Sequence, residues 1–166
     1  WDRKEPTHQL EDPSQYVQYM KHQLTELLTQ YGDVCELWLD GGWAKPEDHW
    51  NIPELYALVK KLQPNCQVTV NLTIGAPEKI SSIRQPEDYT KGDPIRYWPV
   101  DFRTKDPNLC RFDDPKEYSA PNGSLKYLPM EHTICLSSRW NWFQKKEIIP
   151  PRSPDELEEL FYWCTA

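Results

Sequence analysis

The hydrophobic period of this chain switches between helical and extended spacing three times in its first half, and that alternation most narrows its possible folds. Apolar residues recur at helical spacing at Val17, Met20, Leu24, Leu27, Leu28 and Tyr31. Asp12-Pro13-Ser14-Gln15 supplies a cap, a first-turn proline and a glutamine three residues after the cap, and Gly32 stops the helix. Val34 to Asp40 then reads as a short apolar strand. Residues 53–62 form a second helical stretch, with Pro53 at its start and Leu55, Leu58, Val59 and Leu62 on one face. CQVTVNLTIG (66–75) is a second strand, rich in β-branched residues. Helix, strand, helix, strand with short links predicts parallel βα units.

Residues 76–128 hold many prolines and aspartates with little periodicity, and read as a long functional loop insertion. EHTICLS (131–137) reads as a third strand, followed by the aromatic RWNWF (139–143). Ser153-Pro154-Asp155-Glu156 is a capping box that opens a last helix, with Leu157, Leu160, Phe161 and Cys164 on its apolar face. The count is three βα-like units, with the tail of a fourth at Trp1 to Arg3. The expected fold class is α/β: a partial (β/α)8 TIM-like barrel, the C-terminal portion carrying a long loop insertion. A complete barrel typically takes about 250 residues, so the 166 residues read as one fragment of a single catalytic domain, residues 1–166. A small doubly wound sheet is the rival, but the Rossmann and P-loop glycine fingerprints are absent.

Charge and composition remove several function classes. Net charge is −7 and no Lys/Arg cluster forms a phosphate-binding face, which argues against nucleic acid. No apolar run approaches the length of a membrane span. Cys35, Cys66 and Cys135 lie in apolar runs and are expected to be buried free thiols. Without a C-x-x-C spacing, and with scattered histidines, no metal site is expected. Asn71-Leu72-Thr73 and Asn122-Gly123-Ser124 fit the glycosylation pattern, the first within an expected buried strand. Eight Trp and nine Tyr suit either a sugar-binding surface or an ordinary aromatic core.

The strand in CELWLDGGW (35–43) ends on a carboxylate, Asp40, followed by two glycines. In βα barrels chemistry sits at the C-terminal ends of strands, and Gly41-Gly42 would let the chain turn and leave room above the acid. A retaining glycosidase needs one carboxylate as nucleophile and a second as acid/base, about 5 Å away. Glu131, Glu87 and Asp101 are candidates for the second, and Asp40 capping the next turn is the plainer alternative. Trp38 points to the same face of its strand as Asp40, while Trp43, Trp140 and Trp142 follow strand ends.

YVQYMKHQLTELLTQYGDVCELWLDGGW (16–43) resembles the α-L-fucosidases of glycoside hydrolase family 29, through Gln23, Leu24, Glu26, Leu27, Leu28, Tyr31, Gly32, Trp38, Asp40 and Gly41. The opening WDR is similar to the strand end that precedes that helix in some members. YLPMEHTICLSSRWNWF (127–143) resembles the later segment in which a Glu begins a strand and aromatics follow. The resemblance implies a retaining, metal-free and cofactor-free enzyme acting on fucosylated glycans outside the cytoplasm: secreted, periplasmic or lysosomal. It implies Asp40 as nucleophile and Glu87 or Glu131 as acid/base, Asp101 ranking behind them. Trp38 would line the fucose pocket, with Trp43, Asp101 and Trp140 as further substrate contacts.

Two departures accompany the match. An Arg that members often carry after the second strand's Asn is missing from Asn71-Leu72-Thr73-Ile74-Gly75. The barrel half that bears sugar-holding histidines is also missing, so this stretch is expected to be inactive by itself. The alternatives are a related barrel glycosidase acting on another sugar, such as a galactoside, and a non-catalytic carbohydrate-binding protein.

Overall fold

A computed structural model describes residues 13–42, 47–75, 89–106, 114–137 and 150–165. Helix α1 (Pro13–Gln30) ends where Gly32 takes φ +86°, a conformation that favours glycine. It buries Val17, Leu24 and Leu28, with Met20 packed beside them. Leu27 and Tyr31, expected on the same face, are exposed, so the buried stripe is narrower than the apolar pattern. Helix α2 (Ile52–Leu62) has Pro53 in its first turn and buries Ile52, Leu55 and Val59. The two helices pack on each other, joined at the surface by the Lys21–Glu54 ion pair.

Strands β1 (Glu36–Leu39) and β2 (Gln67–Val70) pair in parallel, Leu37 opposite Val68 and Leu39 opposite Val70. Both are shorter than the apolar runs that announced them. Strand β3 (Arg103–Thr104) continues the array beside β2: Asp101 N–H donates to Val68 O at 2.8 Å and Thr73 N–H to Thr104 O at 3.3 Å. The side chain of Thr69 also reaches Phe102 O at 2.9 Å.

Residues 89–106 and 114–128 are not structureless. Strands β4 (Glu117–Ser119) and β5 (Leu125–Tyr127) form an antiparallel hairpin whose turn takes Gly123 at φ +79°. Ile95, Tyr97, Val100, Tyr118 and Leu128 join the core from this region. Proline and aspartate broke its periodicity, but its buried aromatics gave it a tertiary place.

The third expected strand is reduced to β6 (Met130–Glu131), parallel to β3, with Glu131 opposite Thr104. Glu131 therefore ends this short strand instead of starting a long one, and 132–135 run as irregular chain. The spatial order is β1, β2, β3, β6, all running the same way.

Helix α3 (Pro154–Thr165) starts with the expected capping box: Ser153 N–H donates to Glu156 Oε2 at 2.8 Å and Glu156 N–H to Ser153 Oγ at 3.2 Å. Its Leu157 and Leu160 are half-buried and Phe161 is exposed, so these three of the predicted apolar face stay outside the main core, while the side chain of Cys164 lies outside the described residues. Cys66 is buried, Cys135 half-buried and Cys35 exposed. The expectation for Cys35 is corrected: it precedes the first paired residue of β1, outside the covered part of the sheet.

Candidate active site

Because the four strands are parallel, their C-terminal ends lie on one side, and each end carries a polar side chain. Asp40 follows β1, Asn71 follows β2, Asp106 follows β3, and Glu131 closes β6. Asn71 Nδ2 donates to Asp40 Oδ1 at 3.0 Å and to the backbone oxygen of Asp106 at 3.3 Å. Its Oδ1 accepts from Leu72 N–H at 2.8 Å and from Asp106 N–H at 2.9 Å. The Asp40 side of the site is thus tied to the Asp106 side through one buried amide.

Trp38 and Glu131 complete the arrangement. The Trp38 indole donates to Glu131 Oε2 at 2.7 Å. Two long side chains bridge the strands that lie between them. Glu36, Trp38 and Asp40 alternate onto one face of β1, and burial with the nearby Glu131 charge pushes the Glu36 carboxyl up. Asp106 is pushed up in the same direction, first by burial and then by the charges of Asp40 and Glu131. The strand ends therefore gather carboxyls close enough to influence one another, as proton transfer and nucleophilic attack require.

The two glycines after Asp40 have different jobs. Gly41 takes φ +83°, turning the chain away from β1. Gly42 makes room for a ring: a Cβ there would lie 2.8 Å from Tyr97 Cζ and Oη. Trp50 Nε1 also donates to Gly42 O at 2.7 Å. The space over Gly42 is therefore filled by Tyr97, whereas the sequence suggested an opening.

Of the residues singled out from sequence, the structure brings Asp40, Trp38 and Glu131 to the same side. Asp101 lies elsewhere, and its expected place at the substrate is corrected. It precedes β3 and pairs near the start of β2, at the opposite end of the strands. Its Oδ1 accepts from Tyr56 Oη at 2.8 Å, and its Oδ2 accepts from Val68 N–H at 2.8 Å and meets Lys60 Nζ at 2.8 Å. Burial, and then the bond to Asp101, push the Tyr56 hydroxyl up to about 12. Glu87, Trp43, Trp140 and Trp142 lie outside the described residues.

Sequence reading gave no role to Asn71 or Asp106. Asn71 had a detectable signal, since a polar residue ends the apolar run VTVN much as Asp40 ends LWLD. Asp106 follows a two-residue strand with no legible period. Among the described residues no group of three or more His, Cys, Asp or Glu is placed to hold a metal ion, and no helix is long and apolar enough to cross a membrane.

Comparison with known proteins points to one family. A family model described as Alpha-L-fucosidase matches residues 1–150. Alpha-L-fucosidase 1 of Arabidopsis thaliana is 33% identical over 166 residues, covering 98% of this chain and 30% of the relative. A protein of Oryza sativa subsp. japonica, named as an inferred alpha-L-fucosidase 1, is 27% identical over 165 residues, covering 98% of this chain and 29% of the relative. The crystal structure of an inferred alpha-L-fucosidase from Bacteroides thetaiotaomicron superposes with a TM-score of 0.52 at 17% identity, covering 93% of this chain and 33% of that one. The chain thus spans under a third of the length of these curated relatives. A match running through the strand-end acid Asp40 and the later Glu131 shows that the chain belongs to the alpha-L-fucosidase family.

Proposed function

We propose that this chain forms an arc of the (β/α)8 catalytic barrel of an exo-acting, retaining α-L-fucosidase that removes terminal α-L-fucose from glycans. The observation that carries this reading is the gathering of Asp40, Asp106 and Glu131, with Trp38 and Asn71, at the C-terminal ends of four parallel strands. The parallel running of the strands, with helices α1 and α2 sharing their core, supports the barrel.

In this mechanism Asp40 attacks the anomeric carbon, and a second carboxyl protonates the leaving oxygen. The same carboxyl, now a base, takes a proton from water, which releases fucose with retained configuration. Asp40 suits the nucleophile because a strand end holds it in place and a buried amide orients one of its oxygens. Glu131 and Glu87 are the two candidates for the acid/base. Trp38 offers an apolar ring beside both Asp40 and Glu131, suited to the C–H face or the methyl group of fucose.

The test uses the full-length protein and an aryl α-L-fucoside. Release abolished by Asp40→Gly and restored by azide, with a fucosyl azide product, supports Asp40 as nucleophile. Wild-type release by Asp40→Gly overturns that assignment. Release from an aryl galactoside in preference to the fucoside redirects the substrate. Glu131→Gln and Glu87→Gln separate the acid/base candidates: the true one loses far more activity on substrates with poor leaving groups than on activated ones.

A further inference from the structure

We propose that Asn71 is a positioning residue for the nucleophile: its amide holds the Asp40 carboxylate in one orientation at the strand end. The inference rests on the reading of Asp40 as nucleophile.

Asn71 is 2% exposed, and its whole hydrogen-bonding capacity is used. A carboxamide has two N–H donors and two acceptor lone pairs. Both donor contacts and both acceptor contacts are made here, to Asp40, Asp106, Leu72 and Asp106 again. These bonds also assign the amide's orientation, since only the nitrogen can donate to a carboxylate and only the oxygen can accept from two backbone N–H groups. The backbone is bent to suit. Leu72 sits at φ +60°, the left-handed region that a leucine rarely adopts, and its N–H is held by Asn71 Oδ1. A strained residue over-determined by its neighbour's side chain marks a position where geometry matters.

Asp40 keeps like-charged company. Asp106 and Glu131 approach from the ends of β3 and β6, and Glu36 lies further back on β1 under the influence of Glu131. Among the described residues, Arg103 and Lys105 lie over the rings of Tyr118 and Tyr89, and burial and then Arg103 push His132, beside Glu131, down. Carboxylates gathered this closely repel one another. A fixed N–H partner holds Asp40 in one orientation against that repulsion, and the Asn71 side chain supplies it at 3.0 Å.

The test compares Asn71→Asp and Asn71→Ala in the full-length protein, with Asp40→Gly alongside. Asn71→Asp keeps an acceptor for the Leu72 and Asp106 N–H groups, loses the donor to Asp40 and sets a second carboxylate against it; Asn71→Ala removes the donor with no added charge. Both are expected to lose about ten- to a hundredfold in kcat with KM near the wild-type value, and Asn71→Ala also to lower Tm. A kcat per folded molecule at the wild-type value in Asn71→Ala, or a loss that appears in KM with kcat unchanged, overturns the proposal. The control separates two failures. If Asp40→Gly is inactive and rescued by azide while the Asn71 variants behave as wild type, only the role of Asn71 is wrong. If Asp40→Gly keeps wild-type turnover, the nucleophile assignment fails and the Asn71 proposal fails with it.

Discussion

The indole of Trp38 donates to the carboxylate of Glu131 at 2.7 Å across 93 residues of sequence, linking the first and last strands of the parallel array. The bond fixes the distance between these two side chains across the array. It also couples an aromatic wall to a candidate proton donor.

Trp38→Phe keeps a ring and removes this donor. The Glu131 carboxylate then loses the bond that fixes its place. If Glu131 is the general acid, kcat falls by about tenfold, and falls further on substrates with poor leaving groups. Initial rates on activated and unactivated aryl fucosides check this. An equal loss on both, or none, passes the role to Glu87.

Gly42→Ala should destabilise the protein by about 1–3 kcal/mol. The new Cβ would lie 2.8 Å from Tyr97 Cζ, and that ring is fully buried and cannot swing away. Chemical denaturation of Gly42→Ala, Tyr97→Leu and the double variant measures the coupling. The second substitution should cost much less when the ring is already gone.

Asp101→Asn should cost stability and leave the chemistry alone. The neutral amide leaves the half-buried Lys60 without its counter-charge, and it cannot accept at both oxygen positions from Tyr56 and Val68. The expected loss is about 3 kcal/mol in denaturant unfolding, with kcat/KM of the folded enzyme unchanged. A large kcat/KM loss at full stability would return Asp101 to the active site.

Asp106→Asn should stabilise the protein at neutral pH. The folded-state carboxyl is raised by burial and by Asp40 and Glu131. The folded protein therefore holds the Asp106 proton to higher pH than the unfolded chain does. Its contribution is fully present below the unfolded value near 3.8 and is lost as pH rises through the folded value. The gain from Asp106→Asn should accordingly grow from acid to neutral pH and then level off. Tm against pH for both proteins checks the sign, and a constant difference across that range would contradict it.

How much was legible depended on how many residues encode each feature. Helices α1 and α2 repeat an apolar face over several turns, and the α3 cap is written in four consecutive residues. Strand β1 and its terminal acid were legible because an apolar run stops abruptly at Asp40. The two-residue strands β3 and β6 have no period to read, so Glu131 was placed at a strand start and Asp106 was given no place. Asp101 looked like a site acid because its aromatic neighbours do. Its carboxylate goes to Tyr56, Lys60 and Val68, partners 45, 41 and 33 residues away.

By itself the sequence determined the alternation of helix and strand, the acid that ends β1, and the family to which the chain belongs. These rest on periodicity, on capping and turn chemistry, and on residue motifs, all carried by neighbours in the chain. Only the tertiary structure decided which polar groups share a site. Parallel pairing put four strand ends on one side, the strand order let Trp38 reach Glu131, and the buried amide of Asn71 joined Asp40 to Asp106. Those relationships depend on register and strand order across dozens of residues, which no local stretch of sequence specifies.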